Sequence, residues 1–239
     1  MAKKQRKKTA HVARQYLANL GKVDNGVVSV TSLYADKCLY YPLDVEPYTP
    51  SRWFEKGKKD PKFRTKPQIA LALVQREVKE GLPFRAVVAD CFYGENPEFV
   101  SGLQDLQSNE SGDGIPVGFV LSLKRSHCWW HSEGEVGSLL EAAQAAPWNE
   151  ATKAGGWKPV VRTFADGHEE IWYALEVQTR FYGPEQMLRA VVVTTDPSFL
   201  PEANTWFLVP DDQSARAGLP ACGTEFPGSC RFRRGGSPV

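Results

Sequence analysis

The segment AVVADCFYGENPEF, residues 86–99, combines a short apolar run with an acidic residue at its end. The run ends on Asp90, and Asn96-Pro97-Glu98 follows with the composition of a helix start. A carboxylate at the end of a buried strand costs free energy unless it is hydrogen-bonded, paired or bound to a metal. Asp90 is therefore either a turn or capping residue, a common role for aspartate, or a carboxylate that binds a catalytic metal.

Other residues that could do chemistry are few. Asp24, in KVDNG before a predicted strand, is a second candidate carboxylate, although a turn or strand-entry role is favoured for it. His127 and His131 flank two tryptophans and could form a metal pair, although an aromatic loop is favoured. The five cysteines are an odd number without a CxxC pair, which argues against a zinc site and against a disulfide framework.

The elements that position these residues alternate between strands and helices. In chain order, the pattern predicts a hairpin of 26–34 with 37–45, a helix over 67–80 capped by Thr65, the strand ending at Asp90, a helix capped by Asn96, and a strand over 118–124. This order predicts an α/β core. Four further strands are predicted in PVVRTF, EEIWYALEVQ, LRAVVVTT and TWFLVP, which indicates a β-rich insertion.

Basic residues are distributed unevenly, although the net charge is only +1. Residues 1–22 contain no acidic residue, and a second basic cluster runs from Lys56 to Lys66. Such clusters are typical of proteins that bind polyanions, although a solvated or disordered arm has the same composition. The candidate phosphate contacts are Lys8, Arg14, Lys22, Arg64, Lys66, Lys124 and Arg125.

The composition also bears on location and chain ends. No apolar run reaches the roughly 20 residues of a membrane span, and the basic N-terminus lacks the apolar segment of a signal peptide. A cytoplasmic protein without a membrane partner is expected. Residues 211–239 are rich in Gly, Pro, Ser and Arg without helical or strand periodicity, which predicts disorder.

Several segments, taken together, resemble bacterial insertion-sequence transposases with an Asp-Asp-Glu (DDE) catalytic core. They are KKTAHVARQYLANLGKVDNGVVSVTSLYAD, RTKPQIALALV, FRAVVADCFYGENPEF, VRTFADGHEEIWYA, RAVVVTTDP and TWFLV, spread over residues 8–209. The resemblance implies an RNase H-like fold with a β-rich insertion, and it maps Asp90 to the second acid of the triad. It also implies Mg²⁺ or Mn²⁺ as cofactor, transposon-end DNA as partner, and full-length transposase as a further partner.

The sequence departs from that family at both ends. The family's first catalytic Asp lies on a strand before the KKTAHVARQYL segment, and its final Glu lies on a helix after TWFLV. Here the chain starts at MAKKQRKKTAHV, and Glu225 in GTEFPGS is the only glutamate of the tail. We therefore expect a transposase fragment that is truncated at both ends and inactive alone. The alternatives are a non-catalytic DNA-binding or regulatory remnant and a non-functional pseudogene product.

The expected organisation follows from these patterns and from the resemblance. It comprises a basic arm over 1–22, a partial RNase H-like α/β core over 23–125 without its first strand, a β-rich insertion over 126–210 and a disordered tail over 211–239. Without a first strand, residues 26–34 are expected to present an unpaired apolar edge, which favours aggregation.

Overall fold

The computed structural model describes residues 2–3, 9–17, 20–36, 39–108, 118–130, 136–164, 166–180, 187–211 and 229–234. The strands in these stretches are β1 (Ala2–Lys3), β2 (Ala13–Leu17), β3 (Lys22–Val27), β4 (Ser29–Ala35), β5 (Tyr40–Pro47), β6 (Ala86–Ala89), β7 (Gly118–Leu123), β8 (Cys128–Trp130), β9 (Val136–Ser138), β10 (Trp148–Asn149), β11 (Ala154–Gly155), β12 (Lys158–Thr163), β13 (Glu169–Arg180), β14 (Met187–Thr194), β15 (Thr205–Pro210) and β16 (Ser229–Arg234). The α-helices are α1 (Lys66–Lys79), α2 (Cys91–Gly94), α3 (Pro97–Ser108) and α4 (Leu139–Ala145). No helix in the described stretches is long and apolar enough to cross a membrane.

A nine-stranded mixed sheet organises the fold, in the order β12-β13-β14-β15-β7-β6-β16-β4-β5. The neighbours β16, β6 and β7 run parallel, and all other neighbours are antiparallel. The parallel strands β6 and β7 are connected through α2 and α3, and the register places Ala89 beside Leu121. The carboxyl ends of β6 and β7 therefore lie at the same edge of the sheet, which is where Asp90 follows β6.

The C-terminal strand β16 fills the position between β4 and β6. It runs antiparallel to β4 and parallel to β6, and its residue Phe232 is level with both Ser32 and Ala89. The predicted disorder of 211–239 is therefore wrong for Ser229–Arg234, because both neighbouring strands offer backbone hydrogen-bonding groups to this segment. The predicted unpaired edge on residues 26–34 is wrong for the same reason. The rest of the tail, with Glu225, lies outside the described residues.

Helix α1 forms as predicted, and local hydrogen bonds explain where it begins. Thr65 Oγ1 accepts from the backbone N–H of Gln68 at 3.3 Å, and Gln68 Oε1 accepts from the backbone N–H of Thr65 at 2.9 Å. This reciprocal capping box satisfies two backbone donors at the helix start. The apolar face of this helix is buried and contains Ile69, Ala70, Leu73 and Val74. α3 is likewise capped as predicted, with Asn96 Oδ1 accepting from Phe99 N at 2.9 Å.

The first basic segment is folded over residues 9–17. β2 pairs antiparallel with β3 in a separate three-stranded sheet, and Val12 and Leu17 are fully buried. Trp53 Nε1 donates to the backbone oxygen of Val12 at 2.9 Å, which anchors the segment to the connection after β5. Residues 9–17 of the predicted basic arm over 1–22 are therefore part of the folded structure. Asp24 lies inside β3 and not before a strand.

The four strands predicted in the second half all form, as β12 to β15. They extend the main sheet, because β15 pairs antiparallel with β7. Val192 and Phe207 belong to the same buried cluster as Leu73 of α1. The strands β12 to β15 therefore share the sheet and the core of the first half, and the division into a core over 23–125 and a β-rich insertion over 126–210 stays a prediction.

Candidate functional site

Asp90 occupies the turn between β6 and α2. It is the N-cap of α2, and its Oδ1 accepts a hydrogen bond from the backbone N–H of Phe92 at 2.9 Å. Its backbone oxygen accepts from Tyr93 N and Gly94 N at 3.1 and 3.0 Å. Asp90 therefore has the capping role that its residue type favours. The described hydrogen bond to the carboxylate uses Oδ1.

Gly94 lets the short helix α2 lie directly against β7. A Cβ atom at this position would overlap the backbone oxygen of Ser122 and would lie 3.2 Å from Leu121 Cβ. Because a backbone oxygen in a central strand cannot move aside, only glycine fits. This close approach fixes the turn that carries Asp90.

We expect Gly94→Ala to lower the free energy of unfolding by about 3 kcal/mol, the upper range for overpacking. The melting temperature should fall by about 6–12 °C, measured by circular dichroism. Gly102→Ala is the matched control, since the obstacle there is the mobile side chain of Leu71. Alanine also favours the helix by about 1 kcal/mol over glycine. Equal melting temperatures for the two variants would contradict this account of Gly94.

Glu95 links α2 to the end of β7, and the sequence patterns did not identify it. Its Oε1 accepts from the backbone N–H of Lys124 at 2.8 Å and from His127 Nδ1 at 3.0 Å. Burial by itself would raise the pKa of Glu95, but the hydrogen bonds and positive charges of His127 and Lys124 outweigh burial and lower the pKa. The one sequence signal was a second carboxylate five residues after Asp90, and its partners lie too far along the chain to be found by spacing.

The lowered pKa of Glu95 predicts how the stability of the fold depends on pH. A carboxylate whose pKa is lower in the folded state stabilises the fold above the unfolded pKa, and this stabilisation is lost as the pH falls through the folded pKa. The wild-type chain should therefore melt about 2–4 °C above Glu95→Gln at pH 7, for a difference of about 1 kcal/mol. The difference should vanish progressively below about pH 4.5. Glu98→Gln, on the exposed side of α3, is the control and should show no such trend.

The described residues do not make up a metal centre at Asp90. No group of three or more His, Cys, Asp or Glu side chains that could hold a metal ion occurs among them. Asp24 lies in the separate three-stranded sheet, and its Oδ1 accepts from Asn25 N at 2.8 Å. His127 is bound to Glu95, and His131 lies outside the described residues. The carboxylate of Asp90 alone therefore does not fit the metal site that the resemblance implies.

Two pairs of predicted cationic residues lie on either side of the turn at Asp90. Lys124 and Arg125 are exposed and directly follow β7, at the same edge of the sheet. Arg14 and Lys66 line a cavity of about 370 Å³ that is also lined by Phe92 of α2. The turn after β6 is thus flanked by positive charge.

The other predicted cationic residues have acidic neighbours or are not described. Arg64 forms an ion pair with Glu46 of β5. Lys22 Nζ lies 4.0 Å from Asp24 Oδ2. Both pairs reduce the charge that these residues offer to a polyanion. Lys8 lies outside the described residues.

Comparison with known proteins relates this chain to mobile-DNA enzymes. Residues 1–110 match the family of DDE superfamily endonucleases. The probable transposase for insertion sequence element IS701 of Microchaete diplosiphon is 32% identical over 209 residues. The chain is therefore similar to insertion-sequence transposases of the DDE superfamily. The alignment covers 87% of this chain and 47% of that transposase, so the chain spans about half the length of the relative it matches.

The match to the DDE superfamily covers the part of the chain that contains the turn after β6. Asp90 and Glu95 lie within residues 1–110, as do Arg14 and Lys66 of the cavity. The resemblance that the sequence motifs indicated is thereby confirmed. Endonucleases of this superfamily generally use divalent metal ions.

Proposed function

We propose that this chain forms part of the DNA-cleaving and DNA-joining core of a DDE transposase, with Asp90 as the second acid of the triad. The position of Asp90 carries the proposal: it follows a buried parallel strand at the carboxyl edge of the sheet. Ligands of open α/β sheets bind outside this edge. An RNase H-like core is part of the proposal, and it is supported by the hairpin of β4 and β5 followed by the helix-linked parallel strands β6 and β7.

DNA is the proposed partner, and Mg²⁺ or Mn²⁺ is the proposed cofactor of the complete enzyme. Two-metal phosphoryl transfer needs ligands on both sides of the scissile phosphate. The described residues offer no group of side chains that would supply them. The chain alone is therefore proposed to bind DNA without cutting it.

A non-catalytic DNA-binding or regulatory role is the second candidate. The observation in its favour is that positive charge flanks Asp90 on both sides while the described acidic and histidine residues form no metal cluster. In that role the chain would occupy transposon ends or associate with full-length transposase. The two candidates differ in whether Asp90 contributes a ligand to a metal.

A cleavage assay tests the proposal directly. The chain is incubated with Mn²⁺ and labelled duplex DNA that carries the ends of the element encoding it, in parallel with Asp90→Ala. We expect the two proteins to give the same background, because one carboxylate does not complete the site. Cleavage by the wild-type chain that Asp90→Ala abolishes would show that a complete site forms, and Asp24 would be the first residue to re-examine.

A calorimetric titration with Mn²⁺ separates the two candidate roles. In the transposase role, the wild-type chain binds Mn²⁺ weakly and Asp90→Asn binds it more weakly still. Equal affinity in the two proteins would remove Asp90 from the metal site and would leave the non-catalytic role. Glu98→Asn, on the exposed side of α3, controls for the loss of one surface carboxylate.

A further inference from the structure

The cavity beside α2 combines cationic, aromatic and polar groups. Its volume of about 370 Å³ lies at the lower end of the range of about 300–1,000 Å³ for small-molecule sites. Arg14, Gln15 and Lys66 are polar residues of its lining, and Tyr48 and Phe92 are aromatic ones. Side chains of these types bind the phosphates and bases of nucleic acids.

The aromatic part of the cavity already attracts a cation. Lys66 Nζ lies 5.1 Å from the centre of the Tyr48 ring and 5.9 Å from that of Phe92. A Tyr48–Phe63 edge contact, with ring centres 6.4 Å apart, supports the first ring. Burial raises the pKa of the Tyr48 hydroxyl. Because lysine has a flexible stem, its ammonium can move to a phosphate and leave the rings to stack on a base.

The cavity is coupled to the proposed catalytic carboxylate through Phe92. The ring of Phe92 forms part of the cavity wall, while its backbone N–H donates to Asp90 Oδ1 at 2.9 Å. A group bound in the cavity therefore lies beside the turn that carries Asp90. For a DNA substrate, that group would be a nucleotide next to the phosphate at Asp90.

We infer that the cavity receives one unpaired nucleotide of the DNA substrate. Arg14 and Lys66 contact its phosphate, and the rings of Tyr48 and Phe92 stack on its base. This inference rests on the proposed function, since it takes DNA as the substrate. It adds that the DNA must be distorted or unpaired at one position, at the cost of base stacking.

Binding of two labelled duplexes tests the inference, with anisotropy as the readout. The duplexes are identical except that one carries a single unpaired nucleotide. We expect the wild-type chain to bind the duplex with the unpaired nucleotide about tenfold more tightly, as one stacked base would provide. In Tyr48→Leu the ratio of the two affinities should fall to about one, and Phe92→Leu is a second variant if Tyr48→Leu fails to fold. Tyr41→Leu, at an exposed position on β5, should keep the ratio.

The outcomes separate this inference from the proposed function. Absence of salt-dependent binding to either duplex overturns the proposed function and this inference with it. Salt-dependent binding to both duplexes with a ratio of one overturns the cavity assignment alone. Free deoxynucleoside monophosphates are added as competitors. If micromolar amounts remove the preference for the unpaired nucleotide, the ligand is a free nucleotide and the assignment to DNA is wrong.

Discussion

A chain that ends at Gly228, and therefore lacks β16, is expected to lose its cooperative thermal transition or to melt far below the full chain. β16 pairs with β4 from Val30 to Ala35 and with β6 from Ala86 to Ala89. Its removal leaves two unpaired edges in the middle of the main sheet, where water and foreign strands can enter. Among the described residues, the β4–β5 hairpin would then have no strand pairing with the rest of the main sheet.

The expected loss is on the order of 4 kcal/mol or more, since each buried backbone group that loses its partner costs about 1–3 kcal/mol. The melting temperature should fall by about 8–16 °C, measured by circular dichroism, with aggregation monitored by light scattering. A chain ending at Arg234 keeps β16 and is the matched control. Phe232→Pro in the full chain is the second variant, because proline removes a backbone donor from a central strand. If the chain ending at Gly228 melts at the same temperature as the full chain, β16 is dispensable to the sheet.

The sequence predicted the elements whose signals are local. α1 carries its own cap, Thr65, and its own apolar stripe, and the β4–β5 hairpin carries alternating β-branched and aromatic residues around a short turn. The sequence drew attention to Asp90 because an apolar run ends on it. The structure shows that this run is a buried strand. Such features depend on neighbours a few residues away, which a single sequence displays.

The features that the sequence did not predict depend on distant partners. SCRFRR in β16 has no strand pattern, and its conformation depends on β4 and β6, which lie more than 130 residues earlier in the chain. The sequence did not predict strand β2, which lies in a basic segment. Its pairing with β3 depends on backbone hydrogen bonds, which leave no pattern in the side chains. Glu95 and His127, which form a hydrogen bond, are 32 residues apart in the chain and belong to different parts of the fold. Spacing rules that apply within one helix or strand do not detect such contacts.

Reversing the charge of Arg14 and Lys66 together is expected to weaken binding to duplex DNA by about 100-fold, on the order of tenfold for each lost phosphate contact. We expect this loss of affinity to come from the two positions themselves, because a net charge of only +1 gives the chain as a whole little attraction for DNA. Each phosphate contact releases counterions and contributes about −0.9 to the slope of log affinity against log salt. Arg14→Glu with Lys66→Glu should therefore make the slope shallower by about 1.8, measured by anisotropy over a series of salt concentrations.

The matched control is Lys79→Glu with Lys158→Glu, which makes the same change in net charge at exposed positions on α1 and β12. A second test pair, Lys124→Glu with Arg125→Glu, addresses the other side of Asp90. If DNA lies across the turn after β6, both test pairs reduce the slope and the control pair leaves it nearly unchanged. An equal loss in all three would mean that DNA responds only to the overall charge. An unchanged slope in both test pairs would mean that these cations are solvated surface residues, and DNA would have to approach Asp90 by another route.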